Sequence, residues 1–145
     1  MTTRPLTVRD AERALVLYQH LVGDGPVASA DAFARVVDHP GTSVIGAFAD
    51  DSLVAMATLH VLPNMTQGGR PYALVENVVT HRNHRGTGQG RRVMQAVIDA
   101  AWDAECYKIM LLTGQTAEAR GFYETLGFGA EEKWGMTIRR APVRG

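Results

Sequence analysis

Apolar residues recur along this chain with two different periods, and the changes between them outline the elements. Residues 4–8 (RPLTV) can open as a short strand. In residues 10–21, Ala14, Leu17, Tyr18 and Leu21 fall at helical spacing behind Asp10, a residue type suited to an N-cap. Gly23, Gly25 and Pro26 break that helix, and a second short helix over residues 29–37 is stopped by His39-Pro40-Gly41. The pattern then turns β-rich. Residues 43–48 and 53–62 read as a hairpin across Asp50-Asp51, and residues 72–80 as the next strand after a Gly-containing loop. Within 72–80 the polar pair Glu76-Asn77 interrupts an otherwise apolar run. Helical spacing returns over residues 89–104, where Val93, Val97, Ala100 and Ala104 form one stripe, with Met94, Ile98 and Ala101 beside it. Residues 108–113 read as a buried strand, 117–126 as a short helix ended by Gly127, and 134–139 as a last strand. No repeat or linker divides the chain, so a single domain over residues 1–145 is expected. The order predicts an α/β (α+β) fold with a mixed central sheet and one parallel crossover around the 89–104 helix.

Composition narrows the class. A chain of 145 residues is about the size of one domain with one core. Its 15 Lys+Arg balance 15 Asp+Glu, which argues against a broadly basic nucleic-acid binder. Apolar runs reach only a few residues, such as Ile109-Met110-Leu111-Leu112, well short of the roughly 20 that span a bilayer. The N-terminal residues lack the apolar core of a signal peptide, so no membrane association and a cytoplasmic location are expected. The single cysteine, Cys106, permits no internal disulfide and no multi-cysteine metal site. The excess of arginine over lysine suggests a GC-rich bacterial source.

Local chemistry concentrates after the 72–80 strand, in His81-Arg82-Asn83-His84-Arg85-Gly86-Thr87-Gly88-Gln89-Gly90-Arg91-Arg92. Alternating glycines let backbone approach a ligand and turn several N–H groups into one concavity. The helix start that follows adds unpaired amides and the positive end of a dipole. Arg85 and Arg91 flank the loop and could neutralise a diphosphate. The residues alone leave open a plain strand-to-helix turn with a solvated basic face. The third glycine comes one residue early for G-x-G-x-x-G, and no Lys-Ser/Thr follows, so neither a Rossmann site nor a P-loop fits.

Arg85-Gly86-Thr87-Gly88-Gln89-Gly90 resembles the Arg-x-x-Gly-x-Gly pyrophosphate loop of the GNAT N-acetyltransferases. A second segment, from Ala119 through Phe122-Tyr123 to Gly127-Phe128, is similar to that family's A-x-x-F-Y-x-x-x-G-F wall of the acetyl-CoA cleft. The two motifs and their elements cover residues 72–139. Residues 75–80 and 105–109 also resemble the glucosamine-phosphate N-acetyltransferase branch, although Asn77 stands where that branch has Asp. The resemblance implies a mostly antiparallel sheet with a parallel β-α-β acetyl-CoA-binding core. It implies acetyl-CoA as cosubstrate, no metal, a small-molecule amine as acceptor (an amino sugar among the candidates) and a homodimer. A non-catalytic acetyl-CoA sensor and a protein N-acetyltransferase are the competing readings.

Acetyl transfer to an amine requires removal of a proton from nitrogen, stabilisation of a developing oxyanion and protonation of the departing thiolate. Glu76 is the candidate base and Tyr123 the candidate acid. The resemblance assigns the backbone of Val78, Val79 and Thr80 to the pantetheine arm. It places Arg85, Gly86, Thr87, Gly88, Gln89, Gly90 and Arg91 at the pyrophosphate, and Gln115 near the pantetheine. His81 and His84 read as loop residues rather than metal ligands, since a metal site needs more donors in a defined geometry. His60 faces either the acceptor cavity or solvent. Arg139, Arg140 and Arg144 read as a solvated basic tail.

Overall fold

The structure is a computed structural model that describes residues 2–140; Arg144 lies outside them. The chain divides into two compact units, Met1–Leu111 and Leu112–Gly145.

The first unit holds a five-stranded sheet in the order β1-β2-β3-β4-β5: Thr2–Pro5, Thr42–Ala49, Ser52–Leu62, Tyr72–Thr80 and Ile109–Leu111. The first four strands pair antiparallel, and β4 pairs parallel with β5. Helices α1 (Ala11–Val22), α2 (Ala30–Val37) and α3 (Gln89–Asp103) complete it. The mixed sheet with one parallel pair is as the pattern predicts, and its mostly antiparallel pairing is as the resemblance implies.

Alternation along the strands divides the core. On one face Val44, Phe48, Leu53, Met56 and Val79 are buried with Leu6, with Ala14 and Leu17 of α1 and with Phe33 of α2. On the other face the ladder aligns Ala47 with Ala55, and Leu59 with Val75. That side is rich in alanine, with Ala47, Ala55, Ala57 and Ala73 all fully buried. Small side chains let a helix approach a sheet closely. Helix α3 lies against β2, β3 and β4 and buries Val93, Met94, Val97 and Ala101. The apolar stripe thus turns about one position from the expected one, leaving Ala104 exposed.

The buried strand expected over residues 108–113 is only Ile109–Leu111, with Met110 and Leu112 exposed, and three further expectations need correction. The opening strand ends at Pro5, because Thr7 and Asp10 bond reciprocally in a capping box that curls Val8–Asp10 into a 3-10 turn. Asp10 occupies the position before α1 but makes no side-chain cap there. Its carboxylate accepts from the Thr7 N–H at 2.8 Å and pairs with both Arg4 terminal nitrogens at 2.9 Å. Residues 134–139 form no strand. The alternation of Trp134, Met136 and Ile138 is real, but their side chains are almost fully exposed and no ladder includes them.

The second unit contains α4 (Ala117–Glu124), capped by Thr116, whose hydroxyl accepts from the Ala119 N–H at 3.2 Å. Arg120 pairs with Glu124 at 3.2 Å one turn on, and Gly127, at φ 101°, ends the turn that follows. Among the described residues no helix is long and apolar enough to cross a membrane.

Candidate active site

Strand β4 supplies the central feature of the first unit. Val79 pairs with Met56 and Glu76 with Thr58, so Asn77 and Val78 together stand opposite Ala57. This is a β-bulge. Asn77 takes a positive φ of 53°, which Asn tolerates better than other side-chain-bearing residues. Glu76, just before the bulge, is exposed on the face that carries α1. On its other edge β4 is paired to β5 only at residues 73–75. From Glu76 to Thr80 that edge has no β5 partner. Five residues leave about 16 Å of strand edge open to an extended ligand.

The open edge runs into the glycine loop. The His81 N–H donates to the Val54 carbonyl at 2.8 Å, which ties the end of β4 to β3. A 3-10 turn over Arg82–His84 follows, with His81 Nδ1 accepting from the Asn83 N–H at 3.1 Å. The Thr87 hydroxyl donates to the His84 carbonyl in a short hydrogen bond and closes the loop. Gly86 and Gly88 have φ of 75° and 86°, and a Cβ at either position would meet no atom within 4 Å. Their glycine is therefore needed for backbone conformation, with open space beside the loop. Gly88 precedes α3, a 15-residue helix with no side-chain cap, and exposed Arg85 and Arg91 flank its start. A helix start flanked by arginines is chemically suited to an anion. Gln89 differs from its neighbours in being buried as a whole residue.

Polar groups gather around Glu76 on the α1-facing side of the sheet. Thr58 stands directly across from it, and the Tyr18 hydroxyl of α1 is hydrogen-bonded to Thr58. Burial pushes the Tyr18 phenol above its usual 10, with the Thr58 bond opposing. Two residues along, His60 shares the Thr42 hydroxyl with His39. Sequence reading left His60 open and missed Tyr18 and Thr58. The signal was present as polar residues at alternate positions of an otherwise apolar β3.

His81 and His84 are loop residues, as expected, and His81 also packs against His20 of α1. The His20 and His81 ring centroids lie 4.4 Å apart, and those of His81 and His84 5.6 Å apart. Burial first, then the neighbouring His20, His84, Arg82 and Arg85, hold the His81 imidazole below its usual 6.5. Among the described residues no group of three or more His, Cys, Asp or Glu could hold a metal ion. Cys106 is buried, and burial raises its thiol, the opposite of what a nucleophilic cysteine needs.

In the second unit, Tyr123 lies one residue from the end of α4 and is half-buried. It is edge-on to Phe122 at 5.0 Å and to Phe128 at 6.0 Å. Burial pushes its phenol above 10, so it stays O–H at neutral pH. Gln115 is exposed just before the Thr116 cap.

Residues 10–128 match the sequence model of the acetyltransferase (GNAT) family. A glucosamine 6-phosphate N-acetyltransferase of Trypanosoma brucei brucei is 30% identical over 135 residues, covering 90% of each chain. Among solved structures, a protein of Agrobacterium tumefaciens C58 described as an acetyltransferase is 39% identical, with a TM-score of 0.91. The similarity covers 97% of this chain and 100% of that one. A Bacillus halodurans structure described as a transcriptional regulator is 27% identical with a TM-score of 0.82, covering 95% and 98%.

Proposed function

Because the chain belongs to the GNAT family of acetyltransferases, we propose that it moves an acetyl group from acetyl-CoA directly to the primary amine of a small molecule, with an amino sugar as the candidate acceptor. The observation that carries this reading is the open β4 edge beyond the bulge, leading into the glycine loop and the uncapped start of α3. The backbone of Val78, Val79 and Thr80 holds the pantetheine arm as an added strand would be held. Amides of Gly86, Thr87, Gly88, Gln89 and Gly90, with the side chains of Arg85 and Arg91, hold the diphosphate. Gln115 contacts the pantetheine. When bound, acetyl-CoA supplies an activated acetyl group as a thioester.

The chain's own residues manage protons and charge. An alkylammonium ionises near 10, so at neutral pH its nitrogen must first give up a proton. Exposed Glu76 receives it, directly or through water. An amide freed from the ladder at the bulge faces the developing oxyanion. Tyr123 holds its proton at Oη for the departing sulfur. Because burial raises this phenol, it acts by donating a hydrogen bond more than by ionising. Residues 1–145 serve as one catalytic domain, a reading supported by a family match that spans both units. Exposed Trp134, Met136 and Ile138 supply apolar surface for pairing with a second copy.

A free-thiol assay with acetyl-CoA and a panel of amines tests the reading. Thiol release matched by N-acetylated product is the expected result, slowed at least tenfold in Tyr123→Phe. Acetyl-CoA binding with no transfer to any amine would show a sensor instead.

A further inference from the structure

We propose that His39 and His60, locked together through Thr42, form a hydroxyl-recognising subsite beside Glu76, and that the acceptor is therefore a polyhydroxy amine. This rests on the acetyl-transfer reading and names the acceptor's chemistry.

The turn that carries His39 is tightly specified. Pro40 and Gly41 occupy its centre, and the Thr42 N–H donates to the His39 carbonyl at 3.1 Å. Gly41 has a φ of 78°, and a Cβ there would come within 2.6 Å of the Val61 carbonyl oxygen. Any other residue at position 41 would displace either the turn or the end of β3, so His39 is anchored by its backbone. Thr42, the first residue of β2, is buried, and it stands across the ladder from His60. Its Oγ1 lies 3.1 Å from His39 Nδ1 and 2.9 Å from His60 Nδ1.

A hydroxyl has one proton to donate and lone pairs to accept with. With both imidazoles neutral, the arrangement that satisfies the hydroxyl proton within the cluster has one Nδ1–H donating to Oγ1 and the hydroxyl donating to the other Nδ1. Both Nδ1 atoms are consumed, and the two Nε2 atoms take opposite characters, one an N–H donor and the other a lone-pair acceptor. His39 is exposed and His60 half-buried, so these ring edges remain accessible. A donor beside an acceptor is the complement of hydroxyl groups, each of which gives one hydrogen bond and accepts another.

Placement ties this pair to the proposed chemistry. His60 stands opposite Leu74, and Glu76 lies two residues further along β4 on the same face. Two residues of strand are about 7 Å and one strand-to-strand step about 5 Å, which puts His60 roughly 9 Å from Glu76 and Thr42, one strand further, about 12 Å from it. A hydroxylated six-membered ring with an amine at one end spans the interval to His60. Thr58, hydrogen-bonded to Tyr18, lies on the rung that carries Glu76 and extends the polar strip between the two ends.

The test compares glucosamine with cyclohexylamine, an amine on a ring of the same size without hydroxyls. Wild-type protein should favour glucosamine at least tenfold in kcat/KM. His60→Gln and Thr42→Val should collapse that preference at least tenfold, and Thr42→Ser should restore it. A loss that falls equally on both amines, or a wild type without preference, overturns the subsite. Imidazole NMR of the wild-type protein supplies the independent arm. Glucosamine should shift the His39 and His60 resonances and cyclohexylamine should not; failure to shift them overturns the proposal. Shifts without acetyl transfer to either amine would sustain the subsite and refute the acetyl-transfer reading.

Discussion

Replacing Asp10 with Asn removes the charge at the junction of β1 and α1 while keeping the shape of the side chain. The wild-type carboxylate pairs with Arg4 at 2.9 Å through both oxygens, accepts the Thr7 N–H at 2.8 Å and lies 3.6 Å from Arg13. Arg4 in turn stacks 4.5 Å above the Phe48 ring, so the network joins the edge strand to the core. The Arg4 hydrogen bonds first, then the Thr7 amide and the two guanidinium charges, lower the Asp10 carboxyl from 3.8 to about 2 against the opposing effect of burial. At about 1.36 kcal/mol for each pH unit, that gap is worth about 2.4 kcal/mol at neutral pH. Arg4 is half-exposed, and solvent screening makes this figure a ceiling. The folded-state value is depressed, so the contribution is fully present above 3.8 and is lost as pH falls through 2. Urea melts of wild type and Asp10→Asn should differ by about 2 kcal/mol at pH 7, and by roughly half that at pH 3. A difference below about 0.5 kcal/mol at pH 7, or one that stays constant down to pH 3, would refute the reasoning.

Two further outcomes follow from the loop. Gly88→Val places a β-branched residue at φ 86° in open space, so it costs about 1–3 kcal/mol of backbone strain without a clash. It should weaken acetyl-CoA binding at least tenfold by calorimetry, and an unchanged dissociation constant would remove Gly88 from the site. His81 should titrate below 6.5 by imidazole NMR, because burial and its cationic neighbours disfavour the imidazolium. Its depressed value makes the neutral form the stabilising one, so the loop amides should lose protection, measured against their intrinsic exchange rates, as pH falls below about 6.5. A midpoint at or above 6.5 contradicts that packing.

Strand β4 is legible to the residue from its apolar run, and the hairpin across Asp50-Asp51 nearly so. These elements carry their own period, and the ladder adds nothing that reverses it. The Glu76-Asn77 pair announces an irregularity, but the bulge exists only because Ala57 is the single residue opposite Asn77 and Val78, a matter of register. The capping box at Thr7 overrode a β-prone stretch through one side-chain bond in each direction. For residues 134–139, alternation indicated extended backbone, yet a strand also requires a partner, which local spacing does not encode. The glycine loop is readable because its glycines and arginines are contiguous. The His39–Thr42–His60 cluster is not, because β2–β3 pairing brings together residues 18 positions apart.

The central claim, that Glu76 takes the proton from an amine positioned beside the open β4 edge, is tested most directly by single-turnover kinetics with saturating acetyl-CoA and glucosamine. Glu76→Gln should slow acetyl transfer about 100-fold or more while the acetyl-CoA dissociation constant stays within about twofold. Transfer at the wild-type rate in Glu76→Gln would contradict the account.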